Sequence, residues 1–151
     1  MIRKFKATEN DYRAYIELFC RTSLSFRLNA RSENNEDGRD YTHVPEFDYY
    51  CRIVSSDIYH YIAYVDDTDM IIAGAQYTKV GGTACINMFY VMRVYQLRGI
   101  GRKFFHELQK SLADSGVLQI NLYSISAGST AFWKKMGFRD NLFYYTKYLF
   151  I

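Results

Sequence analysis

The stretch Gln96-Leu97-Arg98-Gly99-Ile100-Gly101 carries the clearest chemical signal in this chain of 151 residues. An apolar run from Ala84 to Val91 enters it, and a pattern with helical spacing leaves it. A strand, a glycine-containing turn and a helix N-terminus direct several backbone N–H groups at one point and add the positive end of a helix dipole. Gly99 and Gly101 remove side chains where an anion must touch the backbone. The turn therefore predicts a site for a phosphate or pyrophosphate.

Four basic residues surround this turn and would balance the charge of a bound anion: Arg93, Arg98, Arg102 and Lys103. The plainer alternative is a tight strand-to-helix turn with solvated arginines. Two other phosphate motifs are excluded. A dinucleotide fingerprint needs a third glycine where Phe104 stands, and a P-loop needs a GK[ST] string that the sequence lacks.

Apolar periodicity predicts an α/β domain that presents this turn near its middle. Strands are expected at Ile2 to Ala7, Ile58 to Val65, Met70 to Val80, Thr83 to Val91, Val117 to Ile125 and Leu142 to Phe150. Helices are expected from the Thr8-Glu9-Asn10-Asp11 start to about Thr22, and at Leu24 to Ala30, Asp48 to Val54, Gly99 to Asp114 and Ser129 to Met136. The fold class is thus α/β, with a mixed sheet of about six strands and about four helices.

The polar insert from Arg31 to Tyr50 is rich in acidic residues. It is either a solvated loop or an acidic wall that faces a cationic acceptor.

Bulk properties indicate one domain over residues 1–151 and exclude several classes. A net charge of +3 does not indicate a nucleic-acid protein. Three cysteines without CxxC spacing and three histidines without ligand-like spacing predict reduced thiols in the cytoplasm and no metal. Neither a secretory signal nor an apolar run of membrane-spanning length is visible, so no membrane partner is expected.

Two motifs resemble those of one known family. QLRGIG is similar to the [Q/R]-x-x-G-x-[G/A] pyrophosphate loop of the GNAT acetyltransferase superfamily, and the preceding FYVMRVY resembles its fourth strand. SAGSTAFWKKMGF, from Ser126 to Phe138, resembles that family's N-x-x-A-x-x-F-Y-x-K-x-G-F segment. The resemblance covers nearly the whole chain and implies a sheet that splays into a V.

The resemblance implies acetyl-CoA as co-substrate and an N-acetyltransferase acting on a primary amine of a small molecule or peptide. The pantetheine arm would pair with the fourth strand near Phe89, Val91 and Arg93, and an N–H near Tyr90 would polarise the thioester. The pyrophosphate would lie on the N–H groups of the turn, with Arg98 and Arg102 balancing its charge. The residues that supply those N–H groups are Leu97, Arg98, Gly99, Ile100 and Gly101.

The sequence departs from the family where Trp133 replaces the general-acid tyrosine. An indole N–H is not a usable acid, so Tyr123 is the candidate catalytic acid, with a core tyrosine as its alternative. Ser126 would bond the coenzyme arm or cap a helix, and Trp133 would pack on the coenzyme or fill the core. Cys85 and Asn87 stand where some members place a carboxylate, and neither is a good base.

A second function stays open because of that replacement: a GNAT-fold domain that binds coenzyme A as a sensor or interaction module. The aromatic last strand also offers an edge through which a homodimer would form.

Overall fold

Seven strands of the described residues form one mixed sheet in the order β1-β2-β3-β4-β5-β7-β6. The computed structural model describes residues 1–22, 44–122, 127–140 and 144–149. The strands are β1 (Ile2–Lys4), β2 (Tyr59–Val65), β3 (Ile71–Val80), β4 (Thr83–Val91), β5 (Gln119–Leu122), β6 (Arg139–Asp140) and β7 (Tyr145–Tyr148). Only β4 and β5 pair in parallel. A helix therefore has to carry the chain from the end of β4 back to the start of β5.

The described residues contain four α-helices: α1 (Glu9–Tyr15), α2 (Phe47–Val54), α3 (Ile100–Asp114) and α4 (Ala127–Lys135). The Thr8 side chain caps α1 by accepting a hydrogen bond from the Asp11 N–H, at 3.4 Å. Beyond α1 the chain stays helical but widens to π-helical turns over Ile16–Thr22. A short 3-10 helix, Arg93–Tyr95, separates β4 from α3.

The sheet has a hydrophobic core on each face. Core A lies under α3 and α4 and contains the buried Phe104, Phe105 and Leu108. Core B lies under α1, its π-helical extension and α2, and contains the buried Tyr15, Leu18 and Tyr50. Gly74 of β3 has no room for a side chain, because a Cβ there would lie 2.9 Å from Leu18 Cδ1.

One extra residue interrupts the pairing of β3 with β4. Met88 faces Gln76 and Ile86 faces Tyr77, so Asn87 between them has no partner residue on β3. This is a β-bulge, a feature that often occurs next to functional sites. The bulge also explains why Ala84 and Ile86 share core A with residues 89 and 91, despite the odd spacing.

An ion-pair network joins β1, α1 and the turn between β2 and β3. The Arg3 guanidinium lies 2.7 Å from an Asp11 carboxylate oxygen and 2.8 Å from one of Asp69. Hydrogen bonds to Asp11 and Asp69 raise the pKa of the Arg3 guanidinium, and the bond from Arg3 lowers the pKa of Asp69. The network fixes the start of α1 against the sheet.

The predicted α/β class and mixed sheet are confirmed, with differences at several ends. The two-residue β6 is an addition that no sequence pattern had predicted, since two residues carry no periodicity. The first strand ends at Lys4 rather than Ala7, and α4 begins at Ala127, two residues before the predicted Ser129. The predicted helix at Leu24 to Ala30 lies outside the described residues, as does the insert up to residue 43.

None of the helices in the described ranges is both long and apolar enough to span a bilayer.

Candidate functional site

Within the described residues, the parallel pairing of β4 with β5 covers only the first half of β4. Pairing runs from Thr83 opposite Gln119 to Ile86 opposite Leu122, whereas β4 continues to Val91. In the described part of the chain, no strand pairs with that side of β4 beyond Ile86. We call this opening, between residues 87–91 and the end of β5, the fork.

Backbone groups of Phe89 and Val91 face the fork. The Met92 N–H donates to the Ile72 carbonyl on β3, at 2.9 Å. Because the backbone direction alternates along a strand, Tyr90 also faces β3, and the residues on either side of it face the fork. The predicted N–H donor near Tyr90 is therefore not that of Tyr90 itself, and the adjacent Val91 N–H is the one that faces the fork. An open strand edge of this kind can pair with an extended chain of amides.

The side chain of Gln96 fixes the exit from β4. Its Nε2 donates to the Val91 carbonyl at 3.0 Å. Since that carbonyl faces the fork, Gln96 closes the outer end of the open edge and holds the turn against it. This residue is the first of the predicted loop motif, and its contact was not foreseen from the sequence.

The turn after the fork has an unusual backbone. Leu97 and Gly99 both lie in the left-handed region, with φ of 63° and 76°. Gly99 adopts that conformation without strain, whereas a leucine is strained there and is here fully exposed. Such strain tends to concentrate at binding sites and switch regions.

The start of α3 presents N–H groups without intrahelical partners. Gly99 is the N-cap residue, and the first bond of the helix runs from the Lys103 N–H to the Gly99 carbonyl, at 3.2 Å. The N–H groups of Gly99, Ile100, Gly101 and Arg102 precede that bond, and no side chain caps them. Together with the helix dipole they favour an anion.

The same helix start lies against the wall of the fork. A Cβ on Gly101 would lie 3.5 Å from the Phe132 ring and 3.6 Å from Val91 Cγ2. Phe132 of α4 is thus close to both the turn at Gly99 to Gly101 and the fork. Its place beside the turn depends on tertiary packing, and in the sequence it stands out only as the residue before Trp133 in the second motif.

The positive charge predicted around the turn is present at its surface. Arg93, Arg98 and Arg102 are exposed. The Arg98 guanidinium lies 5.8 Å from the centroid of the Tyr95 ring, which is the distance of a cation–π contact. The arginines therefore lie on the turn that also presents the free N–H groups.

Trp133 fills core A. It is 6% exposed and its ring contacts Phe89, Phe105 and Phe138, with centroids 5.0, 5.5 and 5.3 Å away. Of its two predicted roles, this position favours the core over a direct contact with a coenzyme. Tyr123 and Ser126 lie outside the described residues.

Two other polar candidates, His60 and Cys85, lie on strands of the sheet. The His60 ring stacks on Tyr77 at 4.8 Å, and burial raises the pKa of Cys85, which keeps its thiol protonated near neutral pH. No group of three or more His, Cys, Asp or Glu side chains within the described ranges could hold a metal ion.

A cleft of about 540 Å³ adjoins the turn on the side of core B. The residues that line it include Arg13 and Glu17 of the first helical segment, and Ile71, Met92 and Tyr95. Tyr95 thus contacts both the cleft and Arg98.

A known protein family matches most of the chain. Residues 25–138 match the model of a family described as "Acetyltransferase (GNAT) family". No curated protein sequence matches the chain.

Several solved structures share the fold at low sequence identity. PaiA N-acetyltransferase from Thermoplasma acidophilum, in complex with coenzyme A, is 17% identical with a TM-score of 0.73, over 99% of this chain and 98% of that one. The ribosomal-protein-S18-alanine N-acetyltransferase of Escherichia coli is 15% identical with a TM-score of 0.66, over 100% and 94%. An aminoglycoside acetyltransferase from an uncultured soil metagenomic sample, in complex with sisomicin, is 13% identical with a TM-score of 0.62, over 91% and 84%.

Proposed function

The chain belongs to the GNAT acetyltransferase family, and we propose that it transfers an acetyl group from acetyl-CoA to a primary amine of a small molecule or peptide. Its relatives in solved structures include one bound to coenzyme A. Others are named for acceptors as different as an aminoglycoside and a ribosomal protein. The proposal therefore covers both small-molecule and peptide amines.

The fork beside the α3 turn is the observation that carries this proposal. The pantetheine arm contains amides, which would pair with the open edge of β4 at Phe89 and Val91 as an added strand does. The pyrophosphate would then lie on the N–H groups from Gly99 to Arg102, with Arg98 beside them. The open edge of β4 leads directly to the start of α3, so a single elongated coenzyme can occupy both the edge and the N–H groups of the turn.

The reaction would begin when the free amine nitrogen attacks the thioester carbonyl carbon. A C–N bond forms, and the charge that develops on the carbonyl oxygen would be stabilised by the Val91 N–H that faces the fork. The nitrogen loses a proton to solvent, the C–S bond breaks, and coenzyme A leaves as a thiolate that takes up a proton from solvent. Because an alkyl amine has a pKa of about 10.4, only roughly one molecule in a thousand is free base near pH 7, and removal of the proton from the ammonium form is the larger demand.

Departure of the coenzyme A thiolate needs less catalytic assistance than deprotonation of the amine. A thiol has a pKa of about 8.5, so its thiolate is a fair leaving group without a general acid. Trp133 is buried, and by the motif resemblance it would stand in the position of the family's tyrosine. We expect this replacement to lower the rate ~10²-fold, as loss of acid catalysis does, rather than abolish turnover.

A thermal-shift titration tests the coenzyme half of the proposal. Acetyl-CoA that binds only the folded state raises the melting temperature with concentration. No rise at millimolar acetyl-CoA would refute the coenzyme site.

Release of free thiol tests the transfer. Acetyl-CoA is incubated with L-alaninamide, L-lysine methyl ester, spermidine or sisomicin, and thiol is measured with and without enzyme. Release that depends on an amine supports the enzyme. A rise in melting temperature without release with any amine favours the sensor, for which the buried Trp133 is the supporting observation.

A further inference from the structure

A chain of polar side chains runs from core B to the fork. Asn87 Nδ2 donates to Gln76 Oε1 at 3.0 Å, and Gln76 Nε2 donates to the Tyr61 hydroxyl at 2.7 Å. The Tyr61 ring packs on that of Tyr15 in core B, with centroids 5.7 Å apart. Gln76, Tyr61 and Tyr15 are each 7% exposed, whereas Asn87 is exposed. The chain therefore has one end in the aromatic core and the other at the surface.

Burying a chain of polar side chains costs free energy that an apolar core would not. A buried amide must keep its hydrogen bonds, whereas leucine or methionine would fill the same volume without that requirement. A fully bonded network rigidifies its members. Gln76 Oε1 can only accept, so Asn87 must turn its Nδ2 inward, and its Oδ1 is left pointing away from Gln76.

Asn87 is placed where β4 leaves the sheet. It is the extra residue of the bulge and the first residue beyond the last pair of β4 with β5, Ile86 opposite Leu122. The only donor near its Oδ1 among the described residues is the Cys85 thiol, at 3.5 Å. A thiol is a weak donor, so Asn87 Oδ1 retains a lone pair at the mouth of the fork.

We propose that Asn87 Oδ1 accepts a hydrogen bond from the attacking amine, and that Gln76 and Tyr61 are positioning residues that hold it in place. This inference rests on the proposed acetyl transfer. A neutral amide oxygen can orient a free amine without stabilising its ammonium form, whereas a carboxylate there would favour the protonated amine, which cannot attack. The acceptor is thus a primary amine that presents one N–H to Asn87 and its lone pair to the thioester.

The test compares kinetics with the amine of the panel that releases the most thiol. Asn87→Leu keeps the side-chain volume and removes the oxygen, and we expect KM for the amine to rise about threefold to tenfold, the worth of one hydrogen bond. Asn87→Asp keeps an oxygen that can accept the same hydrogen bond and should keep KM within twofold of the wild type. The dissociation constant of acetyl-CoA should not change in either variant.

Tyr61→Phe removes only the hydroxyl that orients Gln76, and it should raise the same KM by a smaller factor. Tyr64→Phe is its matched control, because Tyr64 lies on the same strand, is equally buried, and belongs to core A. An unchanged KM in Asn87→Leu, or equal effects in the two tyrosine variants, overturns this inference and leaves the proposed function intact. Failure of every amine to react overturns both.

Discussion

Replacing Gly99 with glutamate should abolish most of the coenzyme affinity while leaving the fold in place. The new carboxylate would stand at the N-cap of α3, among the N–H groups that we assign to the pyrophosphate. At roughly 5 Å, two like charges repel by about 1 to 3 kcal/mol for effective dielectric constants between about 80 and 20. The dissociation constant of acetyl-CoA should therefore rise about 5- to 150-fold.

The cost to stability is smaller and has a matched control. Gly99 has φ of 76° and open space around its Cβ, so a side chain there meets only backbone strain, worth about 1–2 kcal/mol. Gly116, at the other end of α3, has φ of 91° and the same open space. A glutamate is favourable at a helix N-terminus and unfavourable at a C-terminus by about 0.3–1 kcal/mol. Gly116→Glu should thus be the less stable variant and yet bind the coenzyme normally.

Isothermal titration with acetyl-CoA and a thermal melt of each variant measure both quantities. Gly99→Glu should lose more affinity for acetyl-CoA than Gly116→Glu, and Gly116→Glu should lose more stability than Gly99→Glu. If Gly99→Glu binds acetyl-CoA as tightly as the wild type, the turn is not the pyrophosphate site. If both variants lose affinity equally, the loss follows from destabilisation and not from charge.

Three further outcomes follow from the contacts. Trp133→Ala should destabilise the fold by about 3–5 kcal/mol, because it empties a buried ring position, and lower the melting temperature by at least about 6 °C. Arg98→Gln should weaken acetyl-CoA binding about threefold to tenfold at low salt, and the difference should shrink as salt screens the charge, seen by titration in 50 and 500 mM salt. The hydrogen bond from Arg3 lowers the pKa of Asp69, so this ion pair contributes stability above about pH 4 and loses that contribution as the pH falls further. In Arg3→Leu the melting temperature should therefore depend less on pH below about pH 4, and an unchanged pH dependence would contradict this.

The glycine turn before α3 was predictable from sequence because local rules determine its backbone. Glycine is the residue that tolerates a left-handed N-cap, and Gly99 adopts one. An apolar stripe from Ile100 onward identified α3. Both signals lie within a few residues of each other, so no tertiary information was needed.

The fork was accessible only through the family resemblance. Ala84 to Val91 is a continuous apolar run, and nothing in it indicates that pairing with β5 stops at Ile86. The sequence also carries no signal for the bulge, because an apolar run without alternation cannot reveal one extra residue. The link from Asn87 through Gln76 to Tyr61 joins three strands and depends on that register. Trp133 could not be assigned to core or ligand because an aromatic residue suits either.

The bulge at Asn87 divides β4 into two halves, and the alternation of side chains between the two faces shifts by one residue at that point. Its first half directs Ala84 and Ile86 into core A, and its second half directs Phe89 into the same core only because one residue is inserted between them. If β4 ran regularly through Asn87, with that residue paired to β3, Phe89 would exchange faces with Met88 and the amides that line the opening would turn back toward β3. The unpaired residue at this single position thus sets both which rings are covered and which hydrogen-bonding groups a bound molecule would meet.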